Sequence, residues 1–132
     1  MQYLSAEEIL VLHALIIDET GGSHGVRDTH LLASVAHKPL ARFGGKELYK
    51  NIFHKAAVLL EAITNYHVFL DGNKRTAFIA ASRFLHMNGY NLIPDKKDAE
   101  NKVLAVAKKR LGIEKLAEWL KASSRKIGKK KP

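Results

Sequence analysis

The chain has 132 residues, 46% of them hydrophobic, which is room for one domain whose core needs no disulfide or structural metal. It has no cysteine, which excludes disulfide frameworks, thiol catalysis and cysteine-ligated zinc or iron–sulfur sites and fits a reducing, cytoplasmic setting. The net charge of +9 is uneven, because residues 121–132 carry six Lys and Arg with no acid, whereas residues 1–120 carry 16 against 13.

The opening Met1-Gln2-Tyr3-Leu4-Ser5 has no basic start, and no apolar run approaches the roughly 18 residues of a spanning helix, so secretion and membrane association find no support. Ser5-Ala6-Glu7-Glu8 has the spacing of a capping box, and Ile9, Leu12, His13 and Ile16 then recur at helical spacing until Gly21-Gly22. Asp28 caps a short second helix through about Ala36, which Pro39 ends. After the Gly44-Gly45 loop, a helix from about Glu47 to Asn65 places Leu48, Ile52, Ala56, Leu59 and Ile63 on one stripe. Phe53, Ala57 and Leu60 widen that stripe, which makes this the central, buried helix.

The pattern breaks at Asp71-Gly72-Asn73 and resumes with Ala77, Ala80, Ala81 and Phe84 until Gly89. Tyr90 to Ile93 is too short to classify, although a brief strand would fit. Asp95 with Asp98 opens a helix carrying Val103, Leu104, Ala107 and Leu111, and Gly112 separates it from a last helix with Ile113, Leu116, Ala117 and Leu120. The expectation is an all-α, compact single domain of about six helices over residues 1–120. Residues 121–132 are expected to form a basic, disordered tail, and nucleic acid would bind only weakly and nonspecifically through it.

One stretch concentrates chemistry. Residues 67–78 read HVFLDGNKRTAF, bringing a titratable ring, a carboxylate, an amide and two cations around one glycine. Where Asp71-Gly72-Asn73-Lys74-Arg75 leads into a helix, free backbone N–H groups, the positive dipole end and two cations converge, which suits phosphates. Gly72 lets the backbone approach a ligand, and Asn73 can cap the helix and donate its amide. Asp71 would repel phosphate unless a cation lay between them, so it fits a ligand for Mg²⁺ bridging a polyphosphate. His67 can serve as general base toward a hydroxyl nucleophile. Taken alone, Asp-Gly-Asn is more often a turn and Lys-Arg a solvated pair. Val68, Phe69 and Leu70 read as anchors for the loop, and His13, His24, His30, His37, His54 and His86 read as structural, because none has a partner at metal-ligand spacing.

HVFLDGNKR resembles the signature loop of the Fic superfamily, and the resemblance is closer to its death-on-curing (Doc) toxin branch. GGSHGVRD (21–28), FGGKELY (43–49) and TAFIAASRFLHMNGY (76–90) look like landmarks of that branch. The resemblance implies a Fic/Doc helical fold, a Mg²⁺-bound nucleoside triphosphate such as ATP, and a protein hydroxyl as acceptor. It implies His67 as catalytic, Gly72, Asn73, Lys74 and Arg75 as nucleotide-binding, and Asp71 as metal-binding. Lys74 stands where nucleotidylating Fic proteins have Gly, and Phe78 where they have a second Arg. Both departures are typical of the Doc branch, whose reversed nucleotide presents its γ-phosphate to a threonine of elongation factor Tu and arrests translation. The inhibitory pattern Ser/Thr, three spacers, Glu, Gly/Asn is absent, since Glu100-Asn101 is preceded four residues earlier by Lys96. Inhibition would come from a separate antitoxin whose disordered C-terminal segment folds onto the toxin. The alternatives are a Fic-type AMP transferase, and a catalytically silent or nucleic-acid-binding module; the tail offers no aromatic residue for base stacking.

Overall fold

The computed structural model describes residues 1–128. Ser5 closes its capping box with Glu8 through two 3.1 Å bonds and starts α1 (Ala6–Thr20). Asp28 accepts from the His30 and Leu31 amides to start α2 (Thr29–His37), and a 3₁₀ turn (Lys38–Leu40) containing Pro39 follows it. Next come β1 (Arg42–Phe43) and β2 (Lys46–Glu47), an antiparallel ribbon around the Gly44-Gly45 turn. The central helix α3 (Ile52–Asn65) therefore begins at Ile52 instead of about Glu47. Asn51 accepts from the Phe53 amide at 2.7 Å as its cap, and Leu48 is exposed before it.

Ten of the residues of α3 are buried, and it packs chiefly against α4 (Asn73–Met87) and α6 (Ile113–Ala122), with α5 (Lys96–Ala107) also in contact. A helix apolar on nearly all sides needs such neighbours around it, and Ala56, Ala57, Ala62, Ala77, Ala80 and Ala81 let α3 and α4 approach closely. Among its buried residues is Lys55, whose Nζ donates to the Pro39 carbonyl at 2.8 Å and to Glu47 at 3.1 Å, tying the ribbon to the core. The all-α class and the six α-helices among the described residues agree with the expectation from the sequence.

The end of the chain differs from it. Lys121 and Ala122 complete α6, and β4 (Ser124–Lys126) pairs antiparallel with β3 (Tyr90–Leu92), so residues 121–126 carry secondary structure where the sequence predicts a disordered tail. The pairing is made by backbone bonds at the surface, with Ile93 N–H donating to Ser123 and Ile127 N–H to Gly89. Ser124, Arg125 and Lys126 bury little, so apolar periodicity carries no trace of it. Residues 129–132, with the last three lysines, lie outside the described residues. No helix among the described residues is long and apolar enough to cross a membrane.

Candidate active site

Three segments distant in sequence build the loop between α3 and α4. The first is the loop itself. α3 ends at Asn65, and His67, two residues beyond it, has φ +51, left-handed backbone that a non-glycine residue adopts at a cost of about 1–2 kcal/mol. Val68 and Phe69 are buried as anchors. The Asn73 side chain closes the turn on itself, with Oδ1 accepting from the Phe69 amide at 3.0 Å and Nδ2 donating to the Phe69 carbonyl at 2.8 Å. It is therefore not the helix cap expected from the sequence. That position is Gly72, with φ +74 and no side-chain cap. A Cβ on Gly72 would lie 3.0 Å from Ile17 Cδ1, so the glycine serves both the left-handed turn and the close contact with α1.

The second segment is residues 22–28. Val26 and Phe69 form an antiparallel bridge, the Arg27 amide donates to the Val68 carbonyl at 2.8 Å, and the Leu70 amide donates to Gly25 at 2.9 Å. A Cβ on Gly25 would lie 2.2 Å from Leu70 Cδ1, so a larger residue there would require the exposed Leu70 side chain to move. Ser23 N–H donates to Asp71 Oδ2 at 3.0 Å, and Arg27 donates from Nε to the His67 carbonyl and from Nη2 to the Tyr66 carbonyl, at 2.5 and 2.8 Å.

The third segment is α1. His13 is buried, its ring stacks on Phe69 with centroids 3.8 Å apart and planes 5° from parallel, and its Nε2 lies 2.8 Å from the Asp71 carbonyl. A carbonyl only accepts, so Nε2 carries the proton, and Nδ1 is left buried with no partner among the described residues. Burial is the main cause that holds the His13 pKa below its ordinary value, outweighing the opposite effect of the Asp71 carbonyl.

The result is a cleft of about 290 Å³ lined by Thr64, His67, Leu70, Asp71, Gly72, Asn73, Lys74 and Arg75. All six residues expected from the sequence line it, with His67, Asp71, Lys74 and Arg75 exposed. Lys74 and Arg75 make no ion pair among the described residues, and the first backbone bond of α4 is donated by Thr76. The N–H groups of Asn73, Lys74 and Arg75 thus remain available at the positive end of the helix. Free N–H groups, two cations and an imidazole at the edge are an arrangement suited to an anion. Asp71 uses one carboxylate oxygen on Ser23 and leaves the other open among the described residues. These residues contain no cluster of three His, Cys, Asp or Glu able to hold a metal by itself. A single open carboxylate beside unpaired cations and N–H groups fits Mg²⁺ carried in on a phosphate ligand, since Mg²⁺ takes one or two carboxylates and completes its shell with phosphates and water.

Beside the cleft and sharing Lys74 and Arg75 with it runs an apolar groove of about 640 Å³, walled by Phe78, Ile79, Leu92, Ile93 and Leu104, with Lys96 and Glu100 also lining it.

A model described as the Fic/DOC family matches residues 3–85, which takes in α1, the 22–28 segment, the loop and most of α4. The chain belongs to the Fic/DOC family. Within it the similarity is to the Doc branch. The chain is 39% identical over 94 residues to Toxin Doc of Mycolicibacterium smegmatis, covering 71% of this chain and 70% of that one. It is 29% identical over 121 residues to Protein kinase doc of Escherichia phage P1, covering 92% of this chain and 94% of that one.

Two residues that organise this Doc-branch loop escaped the sequence reading. His13 reads as structural because it falls on the apolar stripe of α1, and only its position there, a polar ring among Ile9 and Ile17, hints at a buried partner. Arg27 lies in GGSHGVRD, a segment the sequence marks as a landmark without assigning it a task.

Proposed function

We propose that this protein is a Doc-like toxin that transfers the γ-phosphate of a Mg²⁺-bound nucleoside triphosphate, ATP or another, to a hydroxyl of a translation factor. The acceptor proposed is a threonine of elongation factor Tu in the cytoplasm, and its modification arrests translation. The observation that carries this reading is the single cleft holding His67, the open carboxylate of Asp71, and the unpaired Lys74 and Arg75 at the start of α4. The name of the phage relative, Protein kinase doc, supports phosphotransfer over other uses of the fold.

In this reading the α4 amides, Lys74 and Arg75 bind the polyphosphate and Gly72 keeps the backbone clear for it. Asn73 keeps the turn in shape. His67 takes the proton from the acceptor hydroxyl as its oxygen bonds to the γ-phosphorus and the bond to the nucleoside diphosphate breaks. Mg²⁺, when bound through Asp71, supplies neutralisation of the phosphate charge. Phe78 supports the γ-phosphate reading over AMP transfer. It sits in the apolar groove, so the second arginine with which nucleotidylating relatives grip the phosphates has no counterpart at that position.

Regulation is proposed to come from a cognate antitoxin whose disordered C-terminal segment folds into the groove beside the cleft. An amphipathic segment with acidic residues would meet both the Phe78, Ile79 and Leu92 wall and the Lys74 and Arg75 charges, removing them from the nucleotide. The test is a pair of labelled nucleotides in a translation-competent lysate. γ label is expected, chiefly in a band the size of elongation factor Tu. α label alone would replace the kinase reading by AMP transfer, and no label from either would leave a silent binding module.

A further inference from the structure

We propose that Arg27 is the positioning residue for His67: its guanidinium holds the two carbonyls that turn the His67 backbone left-handed and so sets the ring toward the cleft. The proposal rests on His67 acting as the general base. Tyr66 and His67 follow the last residue of α3, where helical carbonyls have lost their intrahelical partners and carry the negative end of the dipole. Arg27 supplies both missing donors from one planar group, Nε to His67 and Nη2 to Tyr66. A guanidinium is suited to two acceptors in a fixed geometry, whereas an ammonium is a point charge that commits to neither.

Three observations make this more than a surface cap. Arg27 makes no ion pair among the described residues, so its charge is directed at these carbonyls alone. Its own backbone is fixed on both sides, through its amide on Val68 and through Asp28 capping α2. Its target is one of two non-glycine residues with positive φ among the described residues, and the other, Lys109, lies in the turn after α5. If His67 took ordinary helical backbone, α3 would run on and the ring would leave the cleft wall. A left-handed residue persists only where its surroundings over-determine it, and the Arg27 fork supplies the two side-chain hydrogen bonds made to the Tyr66 and His67 backbone.

The test separates position from folding. NMR backbone couplings that report φ are measured for His67 in the wild type and in R27A, with the core amides of α3 and α4 as the control. His67 is expected to lose its positive-φ signature while the core is unchanged. In transfer assays R27A should lose roughly 10²-fold in kcat with KM for the nucleotide within about two-fold, because misplacing a base by about 1 Å has that effect. Added guanidinium ion should restore part of kcat in R27A, which a merely destabilised fold would not show. R27K, which retains the charge but not the fork, should fall between the two, and it carries the same measurements if R27A fails to fold. An unchanged His67 φ in a folded variant, or wild-type kcat, overturns the proposal. If the wild type transfers no group at all, the functional reading fails while the coupling measurement still decides what Arg27 does.

Discussion

His13 and Asp71, 58 residues apart, are joined by a 2.8 Å bond from the imidazole Nε2–H of α1 to the carbonyl of the loop. The bond fixes the backbone from which the Asp71 carboxylate projects, so a buried ring on the first helix governs where an exposed carboxylate on the loop points. Replacing His13 by Phe keeps an aromatic stack on Phe69 but leaves the Asp71 carbonyl without its donor. The expected loss is about 1–2 kcal/mol of stability, with a weakened Mg²⁺ dependence of transfer. His13→Ala, which also loses the stack, should be worse on both counts. Thermal melts and Mg²⁺ titration of the two variants check the order.

His67→Ala should slow transfer by roughly 10² to 10⁴, with a circular dichroism melt close to wild type. The side chain is exposed and neither ring nitrogen is bonded among the described residues, so little of the fold depends on it. A wild-type rate from the variant would remove His67 as the base.

Asp71→Asn keeps the acceptor for the Ser23 amide but replaces the anionic metal ligand proposed here by a neutral one. Transfer should then require more Mg²⁺, while the melt stays near wild type. Identical Mg²⁺ curves would reduce Asp71 to a turn residue.

Much of this was legible in the sequence and part was not, for reasons that differ by residue. The loop residues from His67 to Arg75 are contiguous, so their pattern survives in one dimension. The caps at Ser5, Asp28 and Asp95 are likewise local and sit where spacing puts them. Leu48 misled because an apolar residue one turn before a helix fits its stripe by number alone, and the Asn51 cap that outranks it needs no apolar signal. β4 was hidden because a surface strand of Ser124, Arg125 and Lys126 is held by backbone bonds, which side-chain periodicity cannot report. His13 and Arg27 act across 58 and 40 residues, and only three-dimensional closure gives those distances meaning.

Asp98 links stability to pH. It accepts from Trp119 Nε1–H at 2.7 Å and from Lys102 at 3.2 Å, and the Trp119 bond foremost holds its pKa below the usual carboxylate value. A carboxyl depressed in the folded state binds fewer protons there than in the unfolded chain. Its contribution is therefore present above about pH 4, the unfolded value, and is lost as pH falls through the lower folded one. Trp119 is the only tryptophan, so its fluorescence should report the loss of the bond in that acid window. Asp98→Asn should flatten the fluorescence change, and an unaltered curve would place its origin elsewhere.

Deleting residues 123–132 removes β4 and with it the bonds to β3. The deletion should lower stability by about 1–2 kcal/mol, as expected for a few exposed backbone bonds, and leave transfer measurable. A disordered tail would predict no change in the melt, so the melt distinguishes the two descriptions directly.

The bonds that shape the loop run from residue 13 to 71, from 23 to 71 and from 27 to 67. Each closes a long stretch of chain, an ordering entropy that local helix formation does not face, so the site should be among the last parts of the molecule to take shape. A fragment beginning after α2 would retain the whole nine-residue signature and every side chain proposed for chemistry. It would nonetheless lack the three hands that hold the loop, and would carry the residues of the site without its geometry.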